Sequence, residues 1–143
     1  MGHSWIAKNY NEMDLRLQGK MVFITGSTAG IGFATARTLA KEKATIILNG
    51  RTEEKLNDTI RKLREEFPKV AISGFAADFE KLNEVKELLA KLPEIDILIN
   101  NVGICSSGPF FDTVDEDWYK QIEVNVMSGV RLSKMLLPKM LSK

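Results

Sequence analysis

Thr25-Gly26-Ser27-Thr28-Ala29-Gly30-Ile31-Gly32 decides how the rest of the chain is read. Before it runs Met21-Val22-Phe23-Ile24-Thr25, a short apolar stretch that reads as a strand buried on both faces. After it a helix is expected from about Gly30 to Lys41, with Ile31, Ala34 and Leu39 as its inner stripe. A strand, a glycine turn and a helix in that order make a seat for an anion. Gly26 permits the sharp turn, Gly30 lets the backbone approach a pyrophosphate, and Gly32 lets helix and sheet pack closely. The N–H groups and the positive dipole end of the helix then face phosphate oxygens. The spacing is G-x-x-x-G-x-G rather than the commoner G-x-G-x-x-G, so the strand before and the helix after are what raise it above an ordinary turn.

Working outward, strands and helices alternate. Thr45 to Asn49 is a second strand closed by Gly50, and Glu53 to Phe67 places Leu56, Ile60, Leu63 and Phe67 at helical spacing until Pro68 ends the run. Val70 to Phe75 is a third strand, weakened by Gly74. Leu82, Val85, Leu88, Leu89 and Leu92 mark another amphipathic helix stopped by Pro93, and Ile95 to Ile99 is a fourth strand. Helical residues resume near Val114, and a last helix runs from about Val126 towards Leu141. Strands separated by helices of this length require crossovers and a parallel sheet, which places the chain in the α/β class. Trp5, Ile6, Tyr10 and Met13 are too sparsely spaced to define a helix, and residues 1–14 read as an extension or tag-like tail before a domain covering 15–143.

Composition agrees with one domain. The 143 residues carry 20 Lys+Arg against 19 Asp+Glu, a net charge of +1, which offers no basic excess for nucleic acid. With 44% hydrophobic and 27% charged residues the chain is an ordinary globular one, burying roughly two-thirds of its unfolded surface. Cys105 stands alone, so no intrachain disulfide forms and a reducing, cytoplasmic setting is expected. No apolar run approaches a membrane span, and no metal-ligand cluster is visible.

The residue at the tip of the second strand selects the cofactor. A carboxylate there would bind the ribose 2′-hydroxyl of NAD and repel a 2′-phosphate. Gly50 is instead followed by Arg51, with no acid before Glu53. A guanidinium can grip a phosphate bidentately, so NADP is favoured over NAD, although a solvated surface arginine is the plainer reading of Arg51.

With these motifs in order, the chain resembles the N-terminal part of the short-chain dehydrogenase/reductase family, from about Leu15 onward. Thr25 to Gly32 matches the family's TGxxxGxG turn, and Asn100-Asn101-Val102-Gly103 stands where it usually has NNAG, with Val102 for alanine. Asp78-Phe79 looks like its adenine-contacting pair, and Asn125 falls at its catalytic asparagine, with Trp118 about one helix ahead. The resemblance implies a three-layer, Rossmann-like doubly wound sheet of about four strands in the order 3-2-1-4. It implies a cofactor site of Gly26, Ser27, Thr28, Gly30, Ile31 and Gly32, joined by Arg51, Asp78, Phe79, Asn101, Val102 and Gly103. It also implies hydride transfer between a nicotinamide and a small carbonyl or alcohol, and a homo-oligomer or pairing through the strand at 95–99 and the last helix.

Several of these residues carry a second reading. Asp78 also suits a helix cap, and Asn101 a turn. Trp118, Phe110 and Phe111 read first as core or cleft wall, Cys105 as a packed or loop residue, and Arg61 to Glu66 as a solvated helix face. The family's proton-transferring Ser and YxxxK have no counterpart here. The tyrosines are Tyr10 and Tyr119, with Asp14 and Glu123 four positions on, and Ser106 and Ser107 follow the wrong strand. The expectation is therefore a cofactor-binding half with only Asn125 of the catalytic set. The alternative is a non-catalytic dinucleotide-binding or oligomerisation module.

Overall fold

Successive residues of a strand point to opposite faces of its sheet, and this chain fills both faces. The computed structural model describes residues 15–105 and 108–143. The sparse pattern at Trp5, Ile6, Tyr10 and Met13, and the pair Ser106 and Ser107, lie outside the described residues. The elements run β1 (Met21–Ile24), α1 (Gly30–Lys41), β2 (Thr45–Gly50), α2 (Glu53–Glu66), β3 (Ile72–Ala76), α3 (Leu82–Lys91) and β4 (Ile97–Ile99). A short 3-10 turn (Phe110–Asp112), α4 (Asp115–Ile122), a π-helical turn (Glu123–Met127) and α5 (Ser128–Leu141) follow. The four strands are parallel in the order β3-β2-β1-β4, as expected, with Phe23 opposite Ile47 on one side and Leu98 on the other.

Two apolar layers hold this three-layer arrangement. On one face Val22, Ile24, Ile46 and Leu48 meet Ala36 and Ala40 of α1 and Leu56 and Leu63 of α2. On the other, Phe23 and Ile47 meet Val85 and Leu88 of α3, Val124 of the π turn and Leu132 of α5. Each fully buried aliphatic side chain of this kind is worth roughly 1.5–3 kcal/mol. Of the expected inner stripe of α1 only Leu39 packs against this layer: Gly32, Ala36 and Ala40 are the buried positions, while Ile31 is 79% exposed and Ala34 is exposed. Small residues let the helix axis come close to the sheet, and a bulky stripe would hold it off.

Local chemistry explains the element ends. Thr52 caps α2, its hydroxyl accepting from the Lys55 N–H at 3.4 Å, with Glu53 and Glu54 in the first turn against the positive dipole end. Arg64 turns its guanidinium onto the Ile72 carbonyl at the outer edge of β3, at 3.0 Å from Nε, while Arg61, Lys62 and Glu65 remain solvated. The third strand begins two residues later than read, at Ile72, and β4 is only three residues long. Asp96 closes the gap before β4: it accepts from the Met21 N–H at 2.8 Å and from Lys143 Nζ at 3.2 Å.

The C-terminal helices depart most from expectation. Instead of two separated helices, α4 and α5 join through the π turn, where the Ser128 N–H donates to the Glu123 carbonyl five residues back. Glu123 pairs with Arg131 across it, and that guanidinium holds the carboxyl below its usual range. Phe110, Phe111 and Trp118 are neither core nor cleft wall. They are 71%, 96% and 43% exposed and stack edge-on, because no described element lies over them. Cys105 is likewise an exposed loop residue rather than a packed one. No described helix is long and apolar enough to cross a membrane.

Two outcomes follow. Leu48→Ala, in a side chain with no exposure on an inner strand, is expected to lower stability by about 2–5 kcal/mol in urea unfolding. The Asp96 carboxyl is depressed first by the Met21 N–H and then by Lys143, so its contribution is present above the ordinary aspartate range and is lost as pH falls through its folded value. Urea midpoints of Asp96→Asn and the native chain should therefore differ at neutral pH and converge in acid.

Candidate active site

The carboxyl ends of β1, β2 and β4 meet at the glycine turn, and two asparagines hold it there. Asn49, the fifth residue of β2, is 1% exposed. Its Oδ1 accepts from the Gly26 N–H at 3.0 Å, and its Nδ2 donates to the carbonyls of Phe75 at 3.1 Å and Ala77 at 3.2 Å. Its own N–H donates to Ser27 Oγ at 3.0 Å, and its carbonyl accepts from the Ser27 N–H at 2.8 Å. On the other side Asn101 Nδ2 donates to the carbonyls of Thr25 and Gly26, both at 2.9 Å. The Thr25 hydroxyl accepts from the N–H groups of Asn101 and Val102, again at 2.9 Å.

The glycines fit this frame sterically. Gly26 has φ +58°, and a Cβ there would stand 2.9 Å from Val102 Cα. At Gly32 a Cβ would fall 2.5 Å from Asn101 Nδ2 and 2.6 Å from the Gly26 carbonyl oxygen, so only glycine lets α1 start this close to the turn. Around Gly30 the space is open to at least 4 Å. The N-cap of α1 is Ala29, which has no side-chain oxygen to offer, so the first-turn N–H groups are left for solvent or a ligand.

In front of the turn lies a cavity of about 610 Å³. Of the residues expected to bind a cofactor, Gly26, Thr28, Arg51, Asp78, Phe79, Asn101, Val102 and Gly103 line it. Ser27 does not, since its hydroxyl is buried and donates to the Ile24 carbonyl at 2.8 Å. Gly30, Ile31 and Gly32 also lie outside the lining, at the mouth of α1. Asp78 does not cap α3. Its Oδ1 accepts from the Glu80 N–H at 3.0 Å, closing a turn along the cavity wall, and Phe79 beneath it is 3% exposed.

Asn125 sits in the middle of the π turn and clasps a single residue. Its Oδ1 accepts from the Ile104 N–H at 2.7 Å and its Nδ2 donates to the Ile104 carbonyl at 2.8 Å, so it pins the segment that leaves β4. Ile104 lines the cavity.

Sequence reading missed two residues here: Asn49 and Lys55. The only available signal for Asn49 was a polar residue ending an apolar strand. Among cavity-lining charges, Glu80 pairs with Lys120 at 3.0 Å and Lys81 with Glu84 at 2.8 Å. Arg51 and Lys55 form no ion pair among the described residues, leaving two cations for an anionic ligand. No described group of three His, Cys, Asp or Glu could hold a metal ion. An uncapped helix start, open space above Gly30 and two uncommitted cations fit a phosphorylated dinucleotide.

Comparison with known proteins agrees. The family model described as short chain dehydrogenase matches residues 20–143. The chain is 45% identical over 131 residues to the uncharacterized oxidoreductase YvaG of Bacillus subtilis, covering 92% of this chain and 50% of that protein. It is 35% identical over 146 residues to very-long-chain 3-oxoacyl-CoA reductase-B of Danio rerio, covering 97% and 46%. The crystal structure of L-sorbose reductase from Gluconobacter frateurii, complexed with NADPH and L-sorbose, superposes with a TM-score of 0.81 at 36% identity, covering 91% of this chain and 51% of that one. The chain spans about half the length of the curated relatives it matches. It belongs to the short-chain dehydrogenase family of oxidoreductases, and nothing in the comparisons favours a non-catalytic module.

The frame around the turn makes its own prediction. Asn49→Ala removes the bonds to the Gly26 N–H and to the Phe75 and Ala77 carbonyls at a buried position, and is expected to cost about 2–4 kcal/mol in chemical unfolding.

Proposed function

We propose that this cavity holds NADP(H) and that the protein moves a hydride between the nicotinamide and a small carbonyl or alcohol substrate. The observation that carries the NADP preference is Arg51, directly after β2 and lining the cavity with Lys55, with neither cation paired to a carboxylate among the described residues. A 2′-phosphate placed there gains charge-assisted hydrogen bonds that a 2′-hydroxyl cannot match. The related L-sorbose reductase was crystallised with NADPH, which supports the same choice.

In this reading each residue has a physical task. The first-turn N–H groups of α1 bind the pyrophosphate, and the carboxylate of Asp78 takes the exocyclic amino group of the adenine. Asn49 and Asn101 keep the turn from relaxing, so binding does not have to order it. Asn125 holds the Ile104 segment at the cavity wall. When bound, the nicotinamide supplies or accepts the hydride. The substrate oxygen then needs a proton, which a carboxamide cannot give at neutral pH, and Tyr119 has Glu123 rather than a lysine four residues on. We place the proton-transferring groups outside these 143 residues. The half-buried β4 edge, with exposed Val130, Met135 and Leu137 on α5, is the surface we assign to pairing with further chain or with a second copy. The lone Cys105 suits a reducing cytoplasm.

The test is a fluorescence titration with NADPH and NADH. Arg51→Ala should weaken NADPH about tenfold or more and leave NADH nearly unchanged. A native chain that binds NADH as tightly as NADPH, or an equal loss for both in the variant, would remove the NADP assignment.

A further inference from the structure

The wall of the cavity between β3 and α3 is held by an unusual distribution of donors. The Ala77 N–H donates to the Gly50 carbonyl at 2.9 Å, the Glu80 N–H to Asp78 Oδ1 at 3.0 Å, and the Lys81 N–H to the Asp78 carbonyl at 2.9 Å. The Asp78 N–H takes a side chain instead: Oε2 of Glu84, at 2.8 Å. The other carboxylate oxygen of Glu84 accepts from Lys81 Nζ, also at 2.8 Å. Glu84 is the third residue of α3 after its cap Lys81, the position from which a glutamate commonly reaches back to the cap's own N–H. Here it passes the cap and takes hold of the loop three residues further back. One carboxylate therefore ties the start of the wall to its end. Its carboxyl lies below the usual glutamate range, first because of the Lys81 ammonium and then the Asp78 N–H.

Glu84 is also the acid in the first turn of α3, but the helix does not depend on these bonds alone. That helix is anchored by Val85 and Leu88, 4% and 2% exposed, which pack in the apolar layer beneath Phe23 and Ile47. Glu84 does not line the dinucleotide cavity, whereas Asp78, Phe79, Glu80 and Lys81 all do. With the Phe79 ring sunk in the core and the Asp78 backbone bonded to Glu84, the Asp78 carboxylate is left with little freedom at the cavity wall.

We propose that Glu84 is a positioning residue for the adenine half of the cofactor: it contacts no ligand, and it fixes the Asp78–Lys81 wall against which the adenosine end rests. The inference rests on the dinucleotide reading above and names a part of that site which the reading does not. Removing Glu84 frees the wall, so the ligand must order it on binding, and affinity falls for any probe that carries the adenosine end. The nicotinamide end, beyond the glycine turn, does not depend on this loop.

The experiment measures affinities of the native protein, Glu84→Ala, Glu84→Asp and Glu84→Gln for three probes: NADPH, 2′,5′-ADP and reduced nicotinamide mononucleotide. Urea unfolding of each variant is followed in parallel. Glu84→Ala and the shorter Glu84→Asp should weaken NADPH and 2′,5′-ADP roughly fivefold and leave the mononucleotide unchanged. Glu84→Gln, whose amide oxygen can still accept from Asp78, should restore most of the loss. Native-like 2′,5′-ADP binding in Glu84→Ala and Glu84→Asp, or an equal loss for both halves of the cofactor, overturns the proposal. A native protein that binds neither NADPH nor 2′,5′-ADP overturns the dinucleotide reading itself, and this one with it.

Discussion

The carboxamide of Asn49 is the constraint on which the site depends. A parallel sheet ends with carbonyls and N–H groups that have lost their ladder partners, and buried groups of this kind are costly unless something bonds them. Asn49 bonds three backbone groups at once, donating to the carbonyls of Phe75 near the end of β3 and of Ala77 just beyond it, and accepting from the Gly26 N–H. An apolar residue of the same size would fill the space and make none of these bonds. Ser27 is tied to the same residue, its hydroxyl accepting from the Asn49 N–H and its N–H donating to the Asn49 carbonyl. The turn is thus fixed before any ligand arrives, and its N–H groups point where they do at no further cost on binding.

The contrast between α1 and α2 sharpens this. Both follow strands of one sheet, yet α2 begins with Thr52, whose hydroxyl bonds the third N–H, and two glutamates that satisfy its dipole. Its start is electrostatically complete. At α1 the cap is alanine and there is no acid in the first turn, so the helix itself offers nothing to its positive end. Leaving a cap out costs about 1 kcal/mol of helix stability, a cost most simply understood if an anion takes the place of the cap.

How much of this was legible depended on whether an interaction is periodic or singular. Strands 21–24 and 45–50 and the helices at 30–41 and 53–66 follow from apolar runs, glycines and Pro68, and their limits fall within a residue or two of those read. The inner stripe of α1 was misread because hydrophobicity favours Ile31, while close packing favours Gly32, Ala36 and Ala40. Arg51 was legible from its place after the second strand, and Asp78 and Asn101 through the family resemblance, and each lines the cavity. Asn49 and Glu84 were not, because what matters in each is the direction of one polar side chain across elements. The π turn was equally hidden: its i to i−5 bonding leaves no periodic trace in a helix-forming stretch. The aromatic residues at 110, 111 and 118 failed for the opposite reason, since bulk suggested burial and the described chain offers nothing to bury them.

Topology explains why these residues converge. The chain winds outward from β1 through β2 to β3, then returns past its start to lay β4 on the far side of β1. The connections leaving β1 and β4 therefore diverge to opposite faces, one into α1 and the other towards the π turn, and a crevice must open between them. Thr25 stands at the end of β1 and Asn101 just beyond β4, and their mutual bonds floor that crevice. A sheet wound in one direction only would carry the same glycine turn under a continuous layer of helices, with no opening in front of it. Strand order supplies the opening, and side-chain chemistry determines what the opening accepts. Arg51 and Asp78 reach it only because β2 and β3 end level with the turn, a register set by Ile47 opposite Phe23 and by Gly50 opposite Ala76. A slip of one residue between β1 and β2 would turn Asn49 to the other face and remove the bond that holds Gly26, and one between β2 and β3 would displace the carbonyls that Asn49 bonds, so register and site are specified by the same buried residues.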